Sequence, residues 1–378
     1  MNRYLMTPGP VPVSQEVSLA GARPLIAHRG SDYSSLFVSI EEKLGRLLRS
    51  GGRTVIFPAS GTGALESLAA NFTGPDVKVL SVSCGVFGDR FREITALYGA
   101  EIVSVDAPFG EGVSPETVAE AVKANPDCSV ILLTHNETST GVCNPIDKII
   151  AALPSPKEKR PLVLVDGVSS VGAMPCFPEE WGIDGLATAS QKGLLTPPGL
   201  GFVWLSERGW STVAARKRPS YYFDLERQRK LLYKDAPENP YTPPVSLYYE
   251  LDAALDGILG DDWFSLRRRA ADALASGIET LGFELLVKNK EYRSAGVTAF
   301  SLPSGDIASV SKALKSIGVE PAGGQGELKG KIIRMSHYHD VRWPEISLAL
   351  GSLYAALGEA RKRAGDFIGS AFEKWEGK

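Results

Sequence analysis

Four short segments carry residue types that could do chemistry. The first is Ser60-Gly61-Thr62-Gly63, which follows the apolar run Arg53–Phe57 and opens a helical stretch at Ala64-Leu65-Glu66. A glycine-rich turn from strand to helix offers backbone N–H groups and a positive helix end to a phosphate. Ser60 and Thr62 add hydroxyls. It is not a Walker A loop, because no G-x-x-x-x-G-K-[ST] is present. Nor is it a dinucleotide fingerprint, since Glu66 stands where a third glycine is needed. A plain N-cap with turn glycines is the alternative.

The second segment is Asp166, closing the apolar run Leu162-Val163-Leu164-Val165. Open α/β sheets bind ligands at the carboxyl ends of their strands, and an acid buried there needs a partner; a cap on the turn Gly167–Ser170 is the plainer role. The third is Lys192, among small residues in Ala187-Thr188-Ala189-Ser190-Gln191-Lys192-Gly193. A lysine held dry has a lowered pKa and becomes a Schiff-base nucleophile, whereas a snorkelling surface lysine does nothing. The fourth is Arg334, between Ile332-Ile333 and Met335. Such an arginine is a fixed fork for a carboxylate or half of an internal ion pair. His337-Tyr338-His339-Asp340 follows it, but with four histidines in the chain no cluster completes a tetrahedral site, and no metal is expected.

One cofactor uses all four. Pyridoxal phosphate needs a phosphate cradle, a carboxylate for its pyridine nitrogen, a lysine for its aldehyde and an arginine for the substrate's carboxylate. Phosphate turn, strand-end Asp, Lys and distant Arg occur here in that order.

The elements that must position these residues are legible in the hydropathy. Apolar, β-branched runs at Arg53–Phe57, Val77–Val82, Glu101–Val105, Ser129–Thr134, Leu162–Asp166, Gly185–Ser190 and Gly201–Leu205 alternate with helical stretches at Leu36–Arg49, Gly63–Asn71, Phe87–Tyr98 and Pro115–Lys123. This alternation predicts an α/β unit with a mostly parallel seven-stranded sheet covered on both faces. The link between the last two runs is too short and too rich in Gly and Pro for a helix, so one strand there is expected to be antiparallel. Pro219–Pro244 has no clean period and reads as a long functional or interface loop. Helical patterns at Val245–Leu259 and Trp263–Leu281 follow. A smaller α+β unit then alternates strand and helix through Phe283–Val287, Val297–Leu302, Ile307–Ile317, Lys331–Ser336 and Glu345–Leu357. The expected division is an N-terminal segment 1–14 contributing to the active site, a large domain 15–258 and a small C-terminal domain 259–378.

The 378 residues are 43% apolar and 22% charged, which excludes a disordered chain. With 41 basic against 44 acidic residues the net charge is −3, and nothing points to nucleic acid or an anionic membrane surface. Four cysteines without a C-x-x-C pair suggest a reducing compartment. No apolar run reaches a membrane span and no secretory signal is visible, so a cytoplasmic protein is expected.

The chain resembles the class V aminotransferases of fold-type I, in the branch of alanine–glyoxylate and serine–pyruvate aminotransferases. The resemblance runs from Thr7-Pro8-Gly9-Pro10 through Ser60-Gly61-Thr62, Gly85-Val86-Phe87-Gly88-Asp89-Arg90 and His135-Asn136-Glu137-Thr138-Ser139-Thr140-Gly141. It continues in Val165-Asp166-Gly167-Val168-Ser169-Ser170, Ser190-Gln191-Lys192-Gly193, Pro197-Pro198-Gly199-Leu200-Gly201-Phe202 and Tyr241-Thr242-Pro243-Pro244.

The resemblance implies a role for each matched position. Lys192 would hold the cofactor's aldehyde and later move the substrate's α-proton. Asp166 would keep the pyridine nitrogen protonated, and Ser60, Gly61, Thr62 and Gln191 would hold the phosphate. Phe87 would stack on the ring where many relatives have Trp, Val168 would pack on the opposite face, and Ser139 would lie near the ring oxygen. Arg334 would clamp the α-carboxylate, with Gly9 beside the substrate. Thr242, with Asn239 or Tyr241, would reach the phosphate of a partner subunit in a homodimer with shared active sites; some relatives carry a tyrosine where this chain has Asn239. The implied reaction is ping-pong transfer of an amino group from alanine or serine to an oxo acid such as glyoxylate or pyruvate.

Rival readings are weighed on the same residues. A class V desulfurase needs a late loop cysteine, but the last cysteine here is Cys176, before the lysine. A kynureninase-like hydrolase is excluded by no single residue, and an idle subunit is opposed by the intact Lys192, Asp166 and Arg334. Arg29, if turned inward, would admit aspartate or a phosphonate-bearing amine; otherwise it is a surface ion pair.

Overall fold

The seven apolar runs form one sheet. The computed structural model describes residues 4–155, 159–216, 220–260, 262–303, 306–339, 341–358 and 365–377. A short strand β1 (Tyr4–Leu5) comes first, followed by β2 (Thr54–Pro58), β3 (Lys78–Ser83), β4 (Glu101–Asp106) and β5 (Val130–Thr134). A two-stranded hairpin, β6 (Asn136–Glu137) and β7 (Val142–Cys143), precedes β8 (Leu162–Asp166), β9 (Gly185–Ala189) and β10 (Leu200–Leu205). The sheet order is β2-β10-β9-β8-β5-β3-β4. The pairs from β9 to β4 are all parallel, and β10 runs antiparallel to both β9 and β2. The helix-free link after β9 thus returns the chain in the opposite direction, as its composition predicts.

Helices cover both faces of this sheet, so its inner strands are apolar throughout. Every residue of β5, β9 and β10 is buried, whereas the edge strand β4 is exposed or half-buried along its length. The helices of this unit include α1 (Gln15–Gly21), α2 (Ser31–Leu48), α3 (Gly61–Phe72), α4 (Val86–Leu97) and α5 (Pro115–Ala124). Local chemistry sets their starts. At α5, Ser114 Oγ accepts the Thr117 N–H (3.1 Å) and Pro115 sits in the first turn.

The long segment expected as loop contains a helix. After α6 (Ile146–Ala151), α7 (Pro178–Trp181) and α8 (Glu207–Ala215), α9 (Leu225–Leu232) is capped by Asp224, whose Oδ1 accepts the N–H groups of Glu226 (3.0 Å) and Arg227 (3.1 Å). Its charged sequence hid the period, since only Leu225, Gln228 and Leu232 are buried.

The smaller unit follows α10 (Val245–Ile258) and α11 (Trp263–Thr280). Its strands are β11 (Glu284–Leu285), β12 (Val297–Ser301), β13 (Val319–Glu320), β14 (Ala322–Gly323) and β15 (Ile333–Ser336). An antiparallel sheet of order β11-β12-β15-β14 packs with α12 (Ile307–Ser316), α13 (Trp343–Ala356) and α14 (Phe367–Trp375) around a second hydrophobic cluster. The strand predicted at Phe283–Val287 shortens to two residues, and α14 was not predicted. β1 pairs in parallel with β13 and Met6 is buried in this second cluster. The N-terminal segment therefore starts in the small unit before crossing to the large one.

Candidate active site

Turns at the ends of β2, β8 and β9 meet at Gly61. A Cβ built there would lie 2.8 Å from both Val168 methyl carbons and 3.2 Å from Ala189 Cβ, so only glycine lets the three turns close. Ser60 is the N-cap of α3, yet its hydroxyl caps nothing, contrary to the plain N-cap alternative. Ser60 and Thr62 are exposed, and their hydroxyls make no hydrogen bond among the described residues. Gln191 Oε1 is buried without a partner among the same residues. The open hydroxyls of Ser60 and Thr62 are donors at the positive end of a helix and fit an anion such as a phosphate, whereas Gln191 Oε1 is an acceptor and calls for a donor.

Asp166 is buried at the carboxyl end of β8. Its Oδ1 accepts the Val168 N–H (2.9 Å), and Oδ2 has no partner among the described residues. Burial pushes its pKa up to about 7, against the pull of that N–H; nearby Glu137 adds to the rise, and Lys192 and Arg90 oppose it. A buried carboxylate with one open oxygen fits a protonated ring nitrogen.

Lys192 follows β9 and donates from Nζ to the carbonyl of Pro8. Burial, then the neighbouring Arg334, lowers its pKa to about 8, while Asp166 pulls the other way. The N-terminal segment holds this cover in place. Ser336 at the end of β15 donates its N–H to Met6 O (2.8 Å) and its hydroxyl to Thr7 O (2.7 Å), and the Val11 N–H reaches Gln191 O (3.2 Å). Gly9 lies in this segment, against the lysine side chain.

Arg334 lies on β15, opposite Ala299 and Ala322, and is 5% exposed. Nε donates to Gly323 O (2.9 Å) and Nη1 to Thr138 O (2.7 Å), leaving Nη2 free. It forms no ion pair among the described residues, so the internal-pair alternative is not what the fold builds. Burial lowers its pKa, and Glu137 opposes that shift. An arginine steered by two carbonyls with an open end fits a substrate carboxylate.

Phe87 stands in the first turn of α4 and donates its N–H to Glu137 Oε2 (2.9 Å), and the Arg90 guanidinium lies 4.8 Å from its ring centre. Ser139 Oγ accepts the Val86 N–H (3.0 Å) and donates to Glu137 Oε1 (2.6 Å). Glu137 and Arg90 were given no role in the sequence. The signal for Glu137 was an acid inside an otherwise uncharged segment, and for Arg90 its place one helical turn after Phe87.

Two expected positions face elsewhere. Arg29 pairs with Glu238 and donates to the carbonyls of Asn239 (3.0 Å) and Pro240 (3.5 Å), which is the ion-pair alternative. Asn239 is buried in its own subunit: Nδ2 donates to Ile56 O (3.0 Å), and Oδ1 accepts the hydroxyls of Tyr33 and Tyr248. Both amide atoms are engaged inside its own subunit, which turns this buried side chain away from a partner's phosphate. Thr242 is exposed and makes no hydrogen bond among the described residues. Tyr241 donates to Tyr221 O (2.6 Å) and stacks on Tyr222. His337 is buried, with Nδ1 donating to Ala295 O (2.8 Å) and Nε2 3.1 Å from Thr298 Oγ1. Asp340 lies outside the described residues. Among the described residues there is no group of three or more His, Cys, Asp or Glu suited to a metal, and no helix long and apolar enough to cross a membrane.

A family model described as Aminotransferase class-V matches residues 16–339. The chain is 35% identical to an uncharacterized aminotransferase of Methanocaldococcus jannaschii, covering 95% of this chain and 94% of that one. It is 32% identical to the L-aspartate–glyoxylate aminotransferase of Paracoccus denitrificans, covering 88% and 85%. Among solved structures, the subgroup IV aspartate aminotransferase of Thermus thermophilus superposes with a TM-score of 0.85 at 34% identity, covering 94% of this chain and 99% of that one.

Proposed function

The chain belongs to the class V aminotransferases, and from that premise we propose that it uses pyridoxal 5'-phosphate to move an amino group from a small L-amino acid, alanine or serine, to an oxo acid such as glyoxylate or pyruvate. One observation carries this reading. Asp166 with an open oxygen and Arg334 with a free Nη2 are buried near the half-buried Lys192, whose Nζ is tied to the Pro8 carbonyl and whose pKa both of them shift. When bound, pyridoxal phosphate supplies an aldehyde for the amino group and an electron-withdrawing ring that acidifies the carbon attached to it.

The chain's own residues divide the remaining work. Ser60, Gly61, Thr62 and Gln191 hold the phosphate, and Asp166 keeps a proton on the ring nitrogen. Phe87 and Val168 bracket the ring, with Ser139 at the edge of the site. Arg334 orients the donor through its α-carboxylate. The Lys192 amine would serve as the base that takes the α-proton and the acid that gives it to the carbon of the cofactor's aldehyde, general acid–base work that typically contributes ~10²–10⁴-fold. Pro8 and Gly9 cover one side of the lysine. Thr242, exposed in one subunit, completes the phosphate site of a second in a homodimer.

A second reading keeps an acidic donor such as aspartate in view. Arg90 is half-buried and forms no hydrogen bond or ion pair among the described residues. Arg29, held by Glu238, does not support it. The test is donor titration of the cofactor-loaded protein with L-alanine, L-serine and L-aspartate, each followed by glyoxylate or pyruvate. Loss of the visible band with one donor and its return with the oxo acid is expected. A band that no donor discharges would overturn the reading.

A further inference from the structure

Four donors converge on the Glu137 carboxylate. Its Oε2 accepts the N–H groups of Phe87 (2.9 Å) and Gly88 (3.0 Å), and its Oε1 accepts the Ser139 N–H (3.0 Å) and hydroxyl (2.6 Å). Ser139 Oγ also accepts the Val86 N–H (3.0 Å), so the first three N–H groups of α4 all end on this pair of side chains. Glu137 is fully buried and forms no ion pair among the described residues. Burial pushes its pKa up, and the oriented N–H groups at the positive end of a twelve-residue helix oppose that rise.

The same short segment reaches the substrate side. Between Glu137 and Ser139 stands Thr138, whose carbonyl accepts the bond from Arg334 Nη1 (2.7 Å). One hydrogen-bonded peptide thus joins the helix start that carries Phe87 to the arginine of the small unit. Gly85 shows how tightly the joint is built: a Cβ there would lie 2.6 Å from the carboxyl carbon of Glu137.

We propose that Glu137 is a positioning residue that fixes the Phe87 ring face and the Arg334 fork relative to one another. The proposal rests on the aminotransferase reading. Its mechanism is geometric: the carboxylate clamps the peptide of Thr138, and that peptide's carbonyl aims the guanidinium. In Glu137→Gln the carboxamide offers one acceptor oxygen for two pairs of donors, so either the Ser139 N–H or the N–H groups of Phe87 and Gly88 lose their partner and the joint between α4 and the Thr138 peptide loosens.

The test uses the cofactor-loaded protein and acetate, a carboxylate without an amino group, whose binding is followed by calorimetry. In Glu137→Gln, acetate affinity and the donor's KM are expected to worsen on the order of 10-fold, with a smaller change in kcat and a shift of the visible band. Ser139→Ala, which removes only the hydroxyl bridge, is expected to weaken acetate several-fold and serves if Glu137→Gln does not fold. A folded Glu137→Gln protein with wild-type acetate affinity and an unmoved band overturns the proposal, as does wild-type acetate affinity in Ser139→Ala should the first variant not fold. A wild-type protein that forms no band with pyridoxal phosphate overturns the underlying reading instead, and the two failures are distinct.

Discussion

Gly9 lies against Lys192 so closely that a Cβ at position 9 would stand 2.6 Å from Cδ of the lysine. The backbone at Gly9 has φ +138°, a conformation that side chains rarely adopt. The cover over the lysine is therefore fitted to a glycine twice over, by space and by conformation. Gly9→Ala should lift the segment or displace the lysine, at a cost of about 1–3 kcal/mol from overpacking. The expected readout is a fall in kcat/KM on the order of 10-fold together with a Tm lowered by a few degrees.

Lys192 titrates from an unusual starting point. Its pKa is lowered from 10.5 to about 8 by burial and then by Arg334. Only the neutral amine attacks an aldehyde, so cofactor capture by the apoprotein should speed up with pH to a midpoint near 8 and then level off. A surface lysine would keep accelerating toward 10.5. Removing the Arg334 cation in Arg334→Gln should move the midpoint up. Asp166→Asn should move it down, because Asp166 favours the charged lysine. Stopped-flow absorbance across pH 6–10 checks both signs.

Arg334→Lys separates fork from charge. A lysine keeps one positive charge but cannot donate to Gly323 O and Thr138 O while presenting a further N–H pair to a carboxylate. Loss of about 1.5–3 kcal/mol of charge-assisted bonding predicts a donor KM raised ~10–100-fold. Steady-state kinetics against alanine and serine measure it.

Two buried histidines make the fold sensitive to acid. Burial lowers His135 to about 4 and His337 to about 3 from 6.5. Their folded pKa values lie below the unfolded one, so the stability they contribute is complete above pH 6.5. It is lost as pH falls through the window down to their folded values. At pH 5 the expected loss is about 2 kcal/mol per histidine. Urea midpoints at pH 7 and pH 5 should differ accordingly, and His135→Phe, which keeps the ring packing on Trp181, should reduce the difference.

The sheet was legible because its strands are short apolar runs bounded by Gly, Pro and Asp, and β10 reversed because Ser190–Gly199 has no room for a helix. The four chemical residues were legible for a related reason: a polar group inside such a run, or just past its end, has few ordinary uses. What escaped was set by contacts distant in sequence. The resemblance places Asn239 with Thr242 at a partner's phosphate, where some relatives carry a tyrosine, yet Tyr33, Ile56 and Tyr248 engage its amide here. Glu137 stood in view, but its purpose depends on the N–H groups of Phe87 and Gly88, fifty and forty-nine residues earlier. Helix α9 was missed because half its residues are charged and its buried face is narrow.

The most direct measurement is to load the protein with pyridoxal phosphate, reduce it with borohydride and map the label by peptide mass spectrometry. The prediction is a single pyridoxyl group on Lys192, lost in Lys192→Ala and prevented when L-alanine discharges the site first. Label scattered over surface lysines, or none at all, would contradict the assignment of Lys192 and with it the aminotransferase chemistry proposed for this site.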